Sequence, residues 1–543
     1  MKKLFILLFF SSMLCTLRAQ SWYGPDTSFW LGFIPHEYIS QNDHIVFSVT
    51  SCSSGVVTIS NPNSSWSDTI IVSAGVTRNK EYNSSVSGLN PYGGVTSDAE
   101  FLSITGIPIN SGLHVSSTTP ITLSVCTRYK DPGLIDACQI IPTAQLGSEY
   151  VIQSHEINTS LHGSYSSNIC IVAADPKGKA VVDVYLTSNT SNGWAAGSHQ
   201  VIALNSGQCV NIQSSTAVGL QDLSGTIIRA RDYSKIAVFE GNRFVKVPIE
   251  KYSSDMLFNQ SLPTHSWGTE YVAVPVIGHE NAYVRVTAGA DTCQVFFDGI
   301  LKTTLSSYEN YMEEITHATY ITTSKPSSVA YYVDSRHTSG GVEYGDCALT
   351  TLLPLSHHDE KGAYFSTFQM DSRGYPSHYY LNIVTPTNQT SQMRLDDHNI
   401  SNFIPVGTSG YSYSRVTLDA GNHVVYTDPS SWFIAQVIGL DENWEGYIHN
   451  IGGEGVCDST ASIKEETVVA PTITPNPSHD KVYVRCPVEI QSYELFSISG
   501  IKMLEHSVGE LDVSINVENL SKGVYILYLH TSKGLIIEKI VVE

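Results

Sequence analysis

Pro142-Thr143-Ala144-Gln145-Leu146-Gly147-Ser148-Glu149-Tyr150-Val151 and Pro263-Thr264-His265-Ser266-Trp267-Gly268-Thr269-Glu270-Tyr271-Val272 share one pattern, P-T-x-x-x-G-[ST]-E-Y-V. A third, degraded copy keeps Leu353-Pro354 and, after a three-residue insertion, Gly362-Ala363-Tyr364. The prolines stand 121 and 91 residues apart. Self-similarity at that spacing predicts a chain of small sandwiches of about 100 residues each. Each copy follows a strand-like run: Pro120 to Val125, Lys235 to Phe239 and Ser328 to Val333. An acid, Asp136, Asp255 or Asp346, stands between run and proline every time.

The residue types give the motif a physical reading. Proline fixes φ and opens a turn, glycine permits a tight or left-handed bend, and the Tyr-Val pair enters a buried strand. The Asp oxygens brace the intervening loop. Pro142, Gly147, Glu149 and Tyr150, with Pro263, Gly268, Glu270 and Tyr271, are therefore expected to be structural.

Working outward, His44 to Val49, Ala180 to Leu186, Tyr283 to Thr287, Cys293 to Phe297 and Tyr380 to Val384 alternate apolar and polar residues. Clusters of Gly, Asn, Pro and Ser separate these runs, and no helical period appears beyond the N-terminus. The expectation is an all-β chain of several repeated β-sandwich-like units; a β-propeller with two blades per unit is the alternative. At Gly452-Gly453-Glu454-Gly455 the alternation stops, and 452–470 reads as a linker. The remaining 471–543 reads as a small C-terminal Ig-like β-sandwich.

At the N-terminus, Lys2 and Lys3 precede the apolar run Leu4 to Phe10, and Leu17-Arg18-Ala19 ends in a small residue. That order predicts a secretory signal peptide over 1–19. Its core is shorter than the roughly 20 apolar residues of a spanning helix. The mature chain, with its body at 20–451, is expected to have no integral membrane span. Net charge is 30 − 51 = −21, and 27 − 51 = −24 once the three basic residues of 1–19 are gone. Such a surface repels nucleic acid. Only 15% of residues are charged while 10% are aromatic, which argues for folded cores rather than an acidic disordered tail.

Ten cysteines become nine after residue 19, so at least one stays unpaired within the chain. Cys126 and Cys138 flank the turn Lys130-Asp131-Pro132-Gly133 and form the first candidate disulfide; Cys170 with Cys209 is the second. Buried free thiols are the alternative for each pair. Neither a CxxC nor a zinc-type Cys/His spacing occurs.

Glu149 and Glu270 have the residue type of a glycosidase pair, but equivalent positions in repeated units suit a scaffold better than catalysis. His357-His358-Asp359-Glu360 reads as a loop, because neighbours in an extended chain point to opposite faces. Asp396-Asp397-His398-Asn399 lacks the alternating acids of a calcium loop. No G-x-S-x-G elbow or P-loop is present. No catalytic residue, cofactor or metal site is expected. Trp66, Trp194, Trp432 and Trp444 lie in turn-rich stretches where an aromatic face suits sugar or protein contacts, although burial in a core is the commoner fate of such side chains.

Two stretches resemble known families. Pro475-Asn476-Pro477-Ser478, Ser492 to Phe496, Ser499-Gly500-Ile501-Lys502, Leu520 to Tyr525 with Gly523, and Glu538 to Val542 with Lys539 resemble the sorting domain of the Bacteroidetes type IX secretion system. The resemblance implies that the secretion machinery is a partner, that the chain crosses the outer membrane, and that 471–543 is then removed. Asp26 to Phe33, Thr119 to Leu123, the Pro-Gly-Glu-Tyr repeat and the late run Gly421-Asn422-His423, Phe433 and Gly446-Tyr447 resemble the IgGFc-binding protein N-terminal domain family. That implies an exported surface or secreted protein with a binding or adhesion role toward a protein or glycan. An envelope hydrolase and a structural surface-matrix component are the alternatives.

Overall fold

Each P-T turn opens a β unit, and each unit ends on a short buried strand that returns to a common centre. In the computed structural model residues 23–453 and 471–543 are described, apart from 37–38, 40–42, 90, 96, 130–132, 159–164, 175–177, 217–219, 280, 336–343, 360, 371–374, 429, 443, 498–501 and 532–533. The signal stretch 1–19 lies outside the described residues, as does the 452–470 linker beyond Gly453. Two compact units divide at 457/458.

The larger unit holds four β bodies, one more than the three proline motifs mark. The first is a seven-stranded sheet built on the long strand Leu113–Tyr129. The second has a five-stranded sheet through Ile236–Val245 and a four-stranded one through Lys179–Tyr185. The third is a seven-stranded sheet on Thr319–Val333. The fourth pairs a five-stranded sheet through Ile434–Asp441 with a four-stranded one. All ladders are antiparallel, and the long strands change partners along their length. These are curled sandwiches and half-barrels, not propeller blades.

The closing strands are Leu134–Gln139, Asp255–Gln260, Ala348–Thr351 and Gly446–Ile451. Each pairs with its own long strand and packs on the closing strands of two other bodies, so the four form a ring. Side-chain amides stitch one end of it. Gln139 Nε2 donates to Gly452 O (3.0 Å), and Gln260 Oε1 accepts from Ile141 N–H (2.7 Å). Asn259 Nδ2 reaches Thr351 Oγ1 (2.9 Å), and Asn450 Nδ2 reaches Thr351 O (2.8 Å).

Acids sit at the other end. The Oδ1 of Asp136, Asp255 and Asp346 accepts the N–H of Ala137, Met256 and Cys347 respectively. Asp136 Oδ2 also takes Phe258 N–H (2.8 Å) and Leu349 N–H (3.3 Å) from two other bodies. The Asps therefore brace the ring, not the loops expected from sequence. Glu445, buried just before the fourth closing strand, supplies the fourth acid. Burial pushes all three Asp carboxyls up, Asp346 to about 7.

The motif explains how the bodies stack. Pro142, Pro263 and Pro354 each precede a single 3-10 turn: Thr143–Gln145, Thr264–Ser266 and Leu355–His357. The Tyr150 hydroxyl accepts Gly147 N–H (2.9 Å) and donates to Ile236 O (2.7 Å). Tyr271 does the same with Gly268 N–H and Ser327 O. Neither glycine has the positive φ that the sequence reading allowed for. Both are needed for close approach. A Cβ on Gly147 would lie 2.6 Å from Pro263 Cβ, and one on Gly268 would strike Pro354. Each motif glycine thus packs on the proline of the next motif.

Cys126 faces Ala137 across the ladder and Cys138 faces Val125, so the two thiols leave opposite faces of the sheet. Cys126 enters the fourth body's core and Cys138 the first body's. Cys170 and Cys209 share one face of neighbouring strands and their thiols hydrogen-bond, but both are free. Cys52 is disulfide-bonded, and the other seven described cysteines are free and buried.

The C-terminal unit is one five-stranded sheet. Its longest strand, Lys481–Ser497, breaks register between Arg485 and Ile490, which folds the sheet over a core that includes Val482, Leu495, Ile515 and Leu527. Asn476, between Pro475 and Pro477, clamps the last strand: Oδ1 accepts Val541 N–H (2.8 Å) and Nδ2 donates to Lys539 O (2.7 Å). The Tyr525 hydroxyl donates to Ser521 O (2.7 Å), just ahead of Gly523.

Candidate functional site

The hairpins that lead into the closing strands all turn at the acid end of the ring. Close contacts join them there. Gly133 abuts the Glu445 carboxylate, Gly345 N–H donates to Asp441 O (2.6 Å), and Cys347 Sγ lies against Val245 O (3.3 Å). A second connection from each body arrives at the same end, because Asp43, Ser167, Ala282 and Ser377 pair with Tyr129, Asn242, Val333 and Asp441. The described strand ends of eight connections, two from each of four bodies, therefore meet at one pole. Loops on a rigid β scaffold are where binding residues concentrate.

Beneath the pole the loops are braced by buried polar groups. His279 Nδ1 meets Asp334 Oδ1 (2.7 Å), and Lys251 Nζ meets Asp334 Oδ2 (3.2 Å), joining three loops of the second and third bodies. Burial opposes charge on His279, yet the Asp334 carboxylate outweighs it and raises the imidazole's affinity for protons. Arg243, fully buried, donates from Nε to His36 O (2.9 Å), which ties the first body to the second. The Tyr344 ring stacks on His378, centroids 4.3 Å apart, which ties the third to the fourth.

Among the described residues the pole presents three exposed aromatic residues, Tyr252, Tyr375 and Trp444. Trp444 stands in the Asp441–Gly446 turn at φ +73°, a conformation that a bulky residue adopts only at a cost. The turn holds it there: Asp441 N–H reaches Glu445 O (3.0 Å) and Glu445 N–H reaches Asp441 Oδ1 (2.8 Å). Its ring lies edge-on to Tyr252, 6.4 Å away in the second body's loop. Fixed aromatic anchors of this kind dominate protein recognition energetics.

The sequence candidates are scattered. Glu149 accepts from Arg229 Nε and from Tyr308 OH (2.7 Å) at the junction of the second and third bodies. Glu270 holds the Tyr320 hydroxyl near Tyr411 at the next junction. The two carboxylates thus serve equivalent contacts and do not flank one bond. His358 stacks on Trp432 at 4.3 Å, Asp359 accepts Gly453 N–H (3.2 Å), and Glu360 lies outside the described residues. Asp396 and Asp397 form a left-handed turn held to Val424 N–H and Tyr426 OH. Trp66, Trp194 and Trp432 are half-buried, so Trp444 alone of the four tryptophans singled out is exposed. Sequence reasoning missed the pole because its loops share no motif. The signal available was the acid that precedes each closing strand, Glu445 included.

A groove of about 290 Å³ runs between Pro120 and Tyr364, lined by hydroxyls such as Thr50, Ser51 and Thr122, without carboxylate or imidazole. Among the described residues no three His, Cys, Asp or Glu side chains are placed to hold a metal ion, and no helix is long and apolar enough to cross a membrane.

Two family models match the chain. One, described as IgGFc binding protein, spans residues 136–439, more than half of the sequence. The other, described as secretion system C-terminal sorting domain, spans 472–543. No curated protein matches the chain. Neither matched family is an enzyme family.

Proposed function

From the premise that the chain belongs to the IgGFc-binding protein family, we propose that it works by binding rather than catalysis, gripping a protein or glycan with the loop pole of its four-bodied unit. The sorting domain makes it an exported protein of the cell surface or extracellular space. The observation that carries the reading is the exposed pair Trp444 and Tyr252, fixed at the pole where strand ends from four bodies meet. A bound surface that excludes water around such rings gains most of its free energy from them. Cutting the sorting domain free leaves this face on a body of 20–451, the form taken to act outside the cell.

The test is a protein and glycan array probed with the wild type and with a Trp444→Ala/Tyr252→Ala double variant. The expected outcome is at least one ligand that the variant loses by about tenfold or more at unchanged melting temperature. Ligands bound equally by both proteins would move the site away from the pole. Reproducible turnover of glycosidase, peptidase or esterase substrates would replace binding with hydrolysis.

A further inference from the structure

The fourth closing strand, Gly446–Ile451, runs out through Gly452 and Gly453 onto the first body. Gln139 Nε2 donates to Gly452 O (3.0 Å), and Asp359 Oδ1 accepts Gly453 N–H (3.2 Å). A Cβ added to Gly453 would lie 3.4 Å from Thr122 Cγ2, so the chain leaves in contact with the first body's long strand. Thr122 pairs with Thr50, and two residues further along that strand's partner Cys52 enters the turn that precedes Gly55–Ser60. Gly453 and Cys52 both line the groove of about 290 Å³ between Pro120 and Tyr364. Two extended residues cover about 7 Å and four cover at most about 14 Å, so a residue four beyond Gly453 reaches Cys52 with room for the Cα separation of a disulfide.

Cys52 differs from the other described cysteines. It is exposed and disulfide-bonded, whereas the remaining seven are buried and free. Seven free and one bonded leave two of the ten in the sequence, Cys15 and Cys457, both outside the described residues. Cys15 belongs to the stretch read as a signal peptide and is lost with it. Cys457 stands four residues past Gly453. We propose that the segment following Gly453 seats in this groove and is fixed there by a Cys52–Cys457 disulfide, a modification site that ties the fourth body to the first. Both Sγ–H bonds break as one Sγ–Sγ bond forms; the disulfide of an envelope thiol-disulfide oxidoreductase takes up the two electrons and two protons and departs as a dithiol. An exported chain meets such an oxidant, and an exposed thiol is the one it reaches. The staple makes the ring of four bodies covalent, and it requires the sorting domain to be cut away beyond residue 457. It is independent of what the pole binds.

Peptide mapping of the exported protein, denatured in N-ethylmaleimide and digested without reductant, tests the proposal. The expected result is a linked peptide pair that holds Cys52 and Cys457 and separates on reduction. Cys52→Ser should leave Cys457 open to the maleimide in the folded protein, and Cys457→Ser should do the same for Cys52. Both variants should melt below wild type by the same shift, and the double variant no lower than either, because all three lose one and the same bond. The mature surface protein should retain Cys457. The proposal is overturned if the wild type yields both residues as maleimide-blocked thiols, or if Cys52 is linked to any other cysteine, Cys15 included. A double variant that melts below both single ones, or a mature C-terminus that precedes residue 457, would overturn it too.

Discussion

Gly147 and Gly268 show how much one missing methyl group organises. Each lies against the next motif's proline, so any side chain must push two bodies apart. Gly147→Ala and Gly268→Ala are each expected to cost about 1–3 kcal/mol, the usual range for overpacking, read from urea denaturation. The effects should add, because each glycine serves a different junction. Tyr150→Phe should cost about 1–3 kcal/mol as well, since Gly147 N–H and Ile236 O then lose a buried partner. These positions were legible in the sequence as a repeated glycine and tyrosine. Their reason was not, because a spacing cannot tell a positive φ from a close approach. Trp444 carries the opposite balance, exposed and strained. Trp444→Gly should relieve the left-handed backbone by about 1 kcal/mol and raise the melting temperature while removing the binding anchor.

The closing strands were readable only in part. Strand-like runs and the acids Asp136, Asp255 and Asp346 stood out, but a ring is made of contacts between positions about 100 residues apart, which periodicity does not report. Glu445 replaces Asp and Gly452-Gly453 replaces Pro-Thr, so the fourth body escaped the motif. The arrangement of the first sulfur pair was unreadable for a related reason. Flanking a turn puts Cys126 and Cys138 on adjacent strands without deciding which face each takes, and the register puts them on opposite ones. The ring also sets a pH response. Asp346 has its folded pKa raised to about 7 from 3.8, so its contribution to stability is complete below about pH 4 and is lost as pH climbs to about 7. The buried imidazoles of His155 and His449, lowered to about 4 by burial, and that of buried His36, also lowered, run the other way, losing stability as pH falls below 6.5. The diagnostic is therefore a difference. Asp346→Asn should gain on wild type between pH 5 and 8, on the order of 2–4 kcal/mol, measured by thermal melts across that window.

At the scale of the whole molecule, the alternating β-branched and aromatic runs announced an all-β chain correctly, because they have few other outcomes. The sorting domain was equally plain, its elements lying in order along the last 73 residues, 471–543. The two compact units have separate cores, so calorimetry of the full chain should show two transitions, with the Asp346→Asn change confined to one. Surface-extracted protein should have an intact mass that starts near Gln20 and ends between 452 and 475; a native C-terminus at Glu543 would refute the removal of the tail. The ring has a kinetic consequence too. The closing strand of the first body, Leu134–Gln139, waits for Gly446–Ile451, made more than 300 residues later. Until that strand arrives, Asp136 has an open flank and Cys126 and Ala137 lack the core they belong to. Contacts this distant along the chain slow folding and leave apolar surface uncovered on the way. The growing chain therefore passes its first three bodies through synthesis as an unfinished circle, the client state that a holding chaperone recognises, and a chain stopped at residue 440 should remain in it, seen as persistent binding of a hydrophobic dye.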